Sequence, residues 1–368
     1  MLVHSENASL PMRAVISQFS GVRLADSQDA TRLAQFFNET TMSASQIQVG
    51  FNRGNDYFSL LKLQSEKYAA LVCEEEGRIV GVGAFTVRPA FIRGKRVPMG
   101  YFQDLRVSPS TNVRTRQNFY KCFSEFVKVC PQFEDFGHCS FFTTAILDEN
   151  TPAKSALSRA QFPLEYSRLA HYTAIMWPKP GSMGKWLRLG NDSDVYLTDE
   201  IREFYGTQLG QLAFDLTLDD IERLSSHSRP VVLREGNEIV AACLLVQTDT
   251  ERRLHAEHSN FNLKFDSSGT FITALRISKK INPEKAALTK RKLIGKSLRT
   301  SMALKGLFTG YIETDEDPLQ LSPLQGLICY RARGSLYRVF HPEHTQLPSF
   351  SNGFLRPNHT PSFEWIFS

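Results

Sequence analysis

The chain of 368 residues is 42% hydrophobic and 22% charged, with a net charge of +5 and an isoelectric point near 8.8. At roughly 150 residues per domain this length accommodates about two domains, and the apolar fraction excludes a chain left unfolded for want of a core. The mild basicity suits an anionic small ligand and is too weak by itself to argue for nucleic acid. No run of about 18 apolar residues occurs, the amino terminus lacks a basic stretch ahead of an apolar one, and the six cysteines form no C-x-x-C pair. A cytoplasmic protein with reduced thiols and no membrane span is expected.

The first element is a short strand from Val22 to Ala25. Asp26, with Asp29 three residues on, is a helix-start signature, and Leu33, Phe36 and Phe37 recur at helical spacing behind it. YAALVCEEEGRIVGVGAFTVRP sets two apolar runs around Glu75, Glu76 and Gly77, which predicts a hairpin. GKRVPMGYFQDLRVSP supplies a third antiparallel strand. The stretch from Val113 to Val129 predicts a helix with Phe119, Phe123 and Phe126 on one face, stopped by Pro131. CSFFTTAIL reads as a fully buried strand, DENTPAKSALSRAQF as a short helix, and EYSRL with AHYTAIMW as a closing pair of strands. The expected class is α/β (α+β), a mixed, mostly antiparallel sheet flanked by helices.

Pro and Gly concentrate in WPKPGSMG, residues 177 to 184, where a boundary is expected. Beyond it the plan returns. Ile79-Val80 falls on Ile239-Val240, an offset of 160, and Leu105-Arg106-Val107-Ser108 falls on Leu275-Arg276-Ile277-Ser278, an offset of 170. The difference is a ten-residue insertion between those strands, and matches in the same order predict an internal duplication. The organisation read from this is an extension over 1–19, a domain over 20–178, a second over 185–345 and a tail over 346–368.

In the first half, Leu105-Arg106-Val107-Ser108-Pro109 is followed by the turn Asn112-Val113-Arg114-Thr115-Arg116-Gln117, and further on Asn150, Ala153 and Phe162 recur at the spacing Asn-x-x-Ala then Phe. Residues 20 to 177 thereby resemble a domain of the GNAT N-acetyltransferase superfamily, and the repeat makes the whole chain resemble a tandem GNAT protein with a degenerate second half. The resemblance implies an enzyme transferring the acyl group of acetyl-CoA or another acyl-CoA to a small-molecule amine or a peptide amine. It also implies that backbone amides of the turn hold the cofactor's pyrophosphate. Thr115 and Gln117 stand where the family has Gly and Gly or Ala, and Gln161 replaces the Gly before Phe162.

A helix N-terminus stabilises a diphosphate without any particular side chain. Arg114 and Arg116 offer charge-assisted bonds where the glycines are missing; the other reading is a solvated first turn. The resemblance further implies that the strand through Val107 parts from the strand at 140–147, that backbone groups of Leu105, Arg106 and Val107 pair with the pantetheine arm, and that a backbone N–H faces the developing oxyanion. Asp104 is the candidate base, or else an exposed strand residue or a partner of Arg106. The family's usual tyrosine acid is replaced by Leu157; Tyr120, Tyr166 or Tyr172 are substitutes, and catalysis by positioning alone stays open. Glu74, Glu75 and Glu76 read as a solvated turn, or as an acidic rim for a cationic amine.

Other signals carry less. Gly295-Lys296-Ser297 lacks the earlier glycine of a phosphate-binding loop, because position 290 is Lys. His255 with His258, and His341 with His344, have no third ligand, so no metal is expected. From Lys279 to Lys305 nine basic residues face one acid, Glu284, a net of +8 against +5 for the whole chain. Leu288, Leu293, Ile294 and Leu298 make this an exposed amphipathic helix, with a second anion site, for CoA, a nucleotide or an RNA backbone, as the alternative.

Overall fold

The structure is a computed structural model and describes residues 2–3, 8–40, 42–44, 47–92, 95–139, 142–157, 163–179, 196–209, 215–248, 253–258, 263–304, 308–314 and 329–343. Helix α1 (Leu10–Ile16) carries Pro11 in its first turn, where a missing N–H leaves no bond unmade, and buries Met12, Val15 and Ile16. Strand β1 (Val22–Leu24) follows. Asp26 and Asp29 close a reciprocal capping box before α2 (Ala30–Glu39), which buries Leu33, Phe36 and Phe37 at the predicted spacing. Next come β2 (Met42–Ala44), β3 (Ile47–Asn52) and α3 (Phe58–Gln64). The predicted hairpin is β4 (Lys67–Glu75) and β5 (Arg78–Ile92), turning through Glu76 and Gly77 at φ +49 and +75. Strand β6 (Lys95–Val107), α4 (Val113–Val129), β7 (Phe142–Leu147), α5 (Thr151–Leu157) and β8 (Glu165–Pro178) complete the first half.

The second half runs α6 (Asp199–Gln208), α7 (Leu218–Ser225), β9 (Ser228–Glu235), β10 (Glu238–Gln247), β11 (Arg253–His258), β12 (Leu263–Ile277), α8 (Pro283–Ser301), β13 (Phe308–Thr314) and β14 (Tyr330–Phe340). The strands form one sheet in the order β1-β4-β5-β6-β7-β14-β8-β13-β12-β11-β3-β2, with β10 and then β9 attached beside β12. All pairings of named strands are antiparallel except β6 with β7 and β12 with β13. The fold is thus the mixed, mostly antiparallel sheet flanked by helices that the patterning predicted.

One expectation is corrected. EYSRL and AHYTAIMW do not pair with each other; they are one strand, β8, flanked by β14 and β13 from the second half. The register against β14 steps from Leu336–Ala170 to Tyr337–Arg168, so Leu169 is bulged out. That extra residue breaks the alternation of the sequence pattern without reversing the chain. Strand β14 consequently lies between β7 and β8 and ties the halves together.

The duplication is visible in backbone geometry. In the first half the register moves from Val82–Arg106 to Ala84–Gln103, and in the second from Ala242–Arg276 to Leu244–Thr273, at the same offsets of 160 and 170. Ser108 N–H donates to Val80 O at 2.8 Å, and Ser278 N–H to Val240 O at 2.8 Å. Asn112 caps α4 and Asn282 caps α8, each accepting the N–H two residues on. Each parallel contact also begins with a glycine opposite a phenylalanine, Gly100–Phe142 and Gly269–Phe308. A Cβ at Gly100 would lie 2.1 Å from Phe142, and one at Gly269 2.3 Å from Phe308.

The first-half core collects Phe85, Phe102, Phe119, Phe123, Phe126, Phe133, Phe136 and Phe142 between the sheet, α1 and α4. Neighbouring rings lie 4.4 to 5.1 Å apart across Phe85–Phe126 and Phe102–Phe123, and burying each such ring is worth about 1.5–3 kcal/mol. Between the halves, Arg88 of β5 donates to Asp215 O at 3.2 Å and lies 3.5 Å from Asp220, while Arg276 pairs with Asp215 and Arg223 with Asp220. All six cysteines are free thiols, five of them buried. No helix among the described residues is long and apolar enough to cross a membrane.

Candidate active site

Strands β6 and β7 run parallel but pair over only three positions, Gly100–Phe142, Tyr101–Thr143 and Phe102–Thr144. Strand β6 continues to Val107 and β7 to Leu147, so beyond the rung closed by Thr144 Oγ1 on Phe102 O (3.0 Å) the two are no longer laddered together. The parting has a local cause. Asp104 sits at φ +60, and the step in register against β5 bulges β6 at Asp104 and Leu105, bending its end out of the ladder. Leu105 and Val107 are half-buried against the phenylalanine core.

The bulge also turns Gln103 and Asp104 to the same face, away from α4. Gln103 exchanges amide hydrogen bonds with Gln64 of α3. Asp104 is neither exposed nor paired with Arg106: its side chain is buried, in an ion pair with Arg53, and accepts the Tyr57 hydroxyl at 3.1 Å. Phe37 stacks on Tyr57 with centroids 5.3 Å apart and carries the guanidinium of Arg106 at 4.5 Å and that of Arg53 at 5.5 Å. Arg106 donates to Thr40 O at 2.6 Å. Burial, with Asp104 alongside, pushes the Tyr57 phenol well up, and burial brings Arg106 down to about 10. Two guanidinium groups and one carboxylate leave this cluster cationic. Arg53 is 3% exposed, and its Nε and Nη1 have no hydrogen-bond partner among the described residues. An unsatisfied buried donor is costly, which marks Arg53 as a group with capacity for a further acceptor.

Five residues beyond Val107, α4 begins at Asn112, whose Oδ1 accepts the Arg114 N–H at 2.8 Å. Its own N–H is held by the Glu75 carboxylate at 3.1 Å, so this helix end already attracts an anion. Val113 and Arg114 are exposed, and Thr115, Arg116 and Gln117 are half-buried. The two arginines differ in role. Arg114 faces solvent, whereas Arg116 folds back to donate to Pro109 O (3.0 Å) and Thr111 O (3.2 Å), bracing the turn. The acidic hairpin is likewise more than a solvated turn, because Glu74 bridges Arg23 and Arg32, at 2.8 Å to each.

On the β7 side, Asn150 Oδ1 accepts the Ala153 N–H at 3.1 Å and its carbonyl accepts Lys154 N–H at 3.1 Å. The Asn-x-x-Ala motif is thus the start of α5, which ends at Leu157; Gln161 and Phe162 lie outside the described residues. Tyr120 and Tyr166 pack against the phenylalanine core and Tyr172 is buried. The tyrosine beside Asp104 is instead Tyr57. Neither Tyr57 nor Arg53 carries a sequence signal toward Asp104, which lies 47 and 51 residues away.

Two parallel strand pairs that part after a bulge, each followed by a helix starting at a capping Asn, define the tandem GNAT fold. No family model matches the sequence, and no curated protein is similar to it at the sequence level. Solved structures of Saccharomyces cerevisiae N-myristoyltransferase with bound myristoyl-CoA share the fold. One superposes with a TM-score of 0.54 at 11% identity, over 88% of this chain and 83% of that one. A second gives 0.55 at 12% identity, over 87% and 79%. A third, with inhibitors also bound, gives 0.52 at 12%, over 88% and 80%.

Proposed function

We propose that the protein is an acyl-CoA-dependent N-acyltransferase whose first half holds the thioester. The observation that carries this reading is the gap between β6 and β7 beyond Phe102–Thr144, with the bulge at Asp104 on one wall and the N-terminus of α4 five residues past the strand end. An extended pantetheine arm would pair with the backbone of Leu105, Arg106 and Val107 as an added strand does. Its diphosphate would meet the first turn of α4, Asn112 to Gln117, and displace the Glu75 carboxylate, with Arg114 closing over it. Asn150 and Ala153 would shape the opposite wall through the start of α5.

In this reading an acceptor amine attacks the thioester carbon, the C–S bond breaks, and the amine's proton leaves as the thiolate takes one up. The cationic cluster of Arg53, Arg106 and Asp104 lies beside the bulge, where it favours negative charge developing on the thioester oxygen. Asp104 would act less as a free base than as the group that fixes Arg53 and Tyr57, with a proton path through the Tyr57 hydroxyl. The bound ligand of the similar yeast structures makes a long-chain acyl-CoA a donor to place beside acetyl-CoA. The acceptor is proposed to be a small amine or the amine of a peptide.

Isothermal titration with acetyl-, octanoyl- and myristoyl-CoA tests the binding half, and absence of heat with all three at millimolar ligand overturns it. A second reading, a binding module without turnover, draws on the ion-paired state of Asp104 and on Thr115 and Gln117 in place of glycines. Thiol release with a panel of amines and short peptides separates the two, because a binder releases none.

A further inference from the structure

Arg53 comes directly after β3 and Tyr57 directly before α3, so one short connection delivers both partners of Asp104. A guanidinium carries five N–H donors and no acceptor. In Arg53 only Nη2 is engaged, by Asp104, while Nε and Nη1 are buried with no hydrogen-bond partner among the described residues. The residue is 3% exposed, so solvent does not make up the deficit.

Its charge is not balanced either. Arg53 and Arg106 share the ring of Phe37, and among the described residues Asp104 is the only carboxylate in an ion pair with either. Arg106 at about 10 is still protonated at neutral pH, and Tyr57, its phenol raised by burial, is neutral. Arg53 adds to the lowering of Arg106, as two nearby like charges do. Gln103 and Gln64 alongside exchange only neutral amides. The cluster is therefore one anion short, in charge and in hydrogen bonds alike. Its place narrows the choice of anion. The cofactor's diphosphate belongs at α4, whereas the bulge turns Asp104 to the opposite face, that of Phe37 in α2 and of Tyr57 at the start of α3. What meets the thioester on this face is the acceptor. Arg53 stands one carboxylate side chain and one ion pair from the strand that would hold the thioester, so an amine at the reacting carbon and an anion on Nη1 fit on one small molecule.

We propose that the acceptor is a free α-amino acid, its carboxylate received by Arg53 and its amine directed at the thioester. The inference rests on the acyltransferase reading and names the substrate class of that same site. The nitrogen of the neutral amine bonds to the acyl carbon as the C–S bond breaks, and one amine proton ends on the CoA thiolate. The products are an N-acyl amino acid and the free thiol. The carboxylate keeps its charge throughout, so Arg53 holds acceptor and product alike.

The test is a set of matched acceptors on the full chain. Thiol release from the tightest-binding acyl-CoA is followed with glycine, leucine, phenylalanine and glutamate, each against its α-carboxamide. The N-octanoyl derivatives of the same pairs are titrated by calorimetry, which reads the subsite without turnover. At least one acid should exceed its amide by about tenfold or more in kcat/KM, chiefly through KM, and its N-octanoyl derivative should bind tighter by a similar factor, the worth of one charge-assisted contact. Arg53→Lys keeps a cation beside Asp104 but gives up the planar fork, and should lower kcat/KM for the acid about tenfold more than for the amide. The comparison of acid with amide on the unaltered chain stands whether or not that variant folds. Acids and amides that bind alike, no binding of either, no thiol release with any acid, an Arg53→Lys loss shared equally by acid and amide, or a peptide amine outdoing every free amino acid would each overturn the proposal. Heat with acyl-CoA but no preference for acids sinks this inference alone, whereas no heat with any acyl-CoA removes the acyltransferase reading and the inference with it.

Discussion

Asp104 in the first half and Ala274 in the second occupy the same point of the same bulge, at φ +60 and +52, yet only Asp104 gathers a guanidinium and a phenol around a carboxylate. At Ala274 the tyrosine of the preceding helix region, Tyr205, donates instead to the backbone carbonyl at 3.0 Å. The following arginine, Arg276, pairs with Asp215, whose backbone carbonyl accepts Arg88 of the first half, while its counterpart Arg106 stays beside Phe37. The backbone was kept because register, helix caps and the glycine–phenylalanine contacts specify it without regard to what the bulge carries. The helices that follow diverged in the same way: where α4 sets Cys122 and Phe126 in the core beside α1, α8 has Lys292 and Lys296.

The largest expected effect breaks the comparison at the bulge. Asp104→Ala makes the first half like the second and strands Arg53 as an unpaired buried charge, at a cost of about 3–5 kcal/mol in urea unfolding. Arg53→Met with Asp104→Ala should recover most of that stability while acyl transfer stays lost; recovery of turnover in the double variant would remove the cluster from the mechanism. Next comes the packing device common to both halves. Gly100→Ala and Gly269→Ala each push a Cβ into a phenylalanine ring and should cost about 1–3 kcal/mol, and a near-neutral melting shift at either site would show that the parallel contact tolerates displacement.

The caps sharpen the comparison further. Asn112→Ala and Asn282→Ala should each destabilise by about 1 kcal/mol. Only Asn112→Ala should also raise the KM for acyl-CoA, and equal kinetic effects from both would deny the halves their different roles. The smallest effect concerns Glu74. The hydrogen bond from Arg23, and then that from Arg32, hold its carboxyl below the usual value of 4.5 against the opposing effect of burial. Its folded value is depressed, so its contribution is present above pH 4.5 and is lost as the pH falls through the lower folded value. Because the pairs are partly exposed it amounts to less than about 1 kcal/mol. Glu74→Gln should flatten the acid limb of a stability profile, and the second half, with Arg234 at the corresponding position, should contribute no such limb.

What was legible in the chain was whatever is written within one element or one turn. The capping box at Asp26 and Asp29, the helix from Val113 to Val129, the hairpin at Glu76 and Gly77 and the two offsets of the repeat all follow from spacing, because helix caps and alternation act over a few residues. Leu105, Arg106, Val107 and the turn from Asn112 to Gln117 could be placed at the end of one strand and the start of one helix for the same reason. The joining of EYSRL to AHYTAIMW was misread because a bulge at Leu169 disturbs the alternation as a turn would.

The order of these elements along the chain, and the likeness of one half to the other, were determined by the sequence alone. Two things were decided only in the tertiary structure: the insertion of β14 between β7 and β8, and the burial of Asp104 against Arg53 and Tyr57. The reason is the same for each. Strand partners and ion pairs join residues that are dozens to hundreds of positions apart, and no local periodicity records which distant side chain arrives at a bulge.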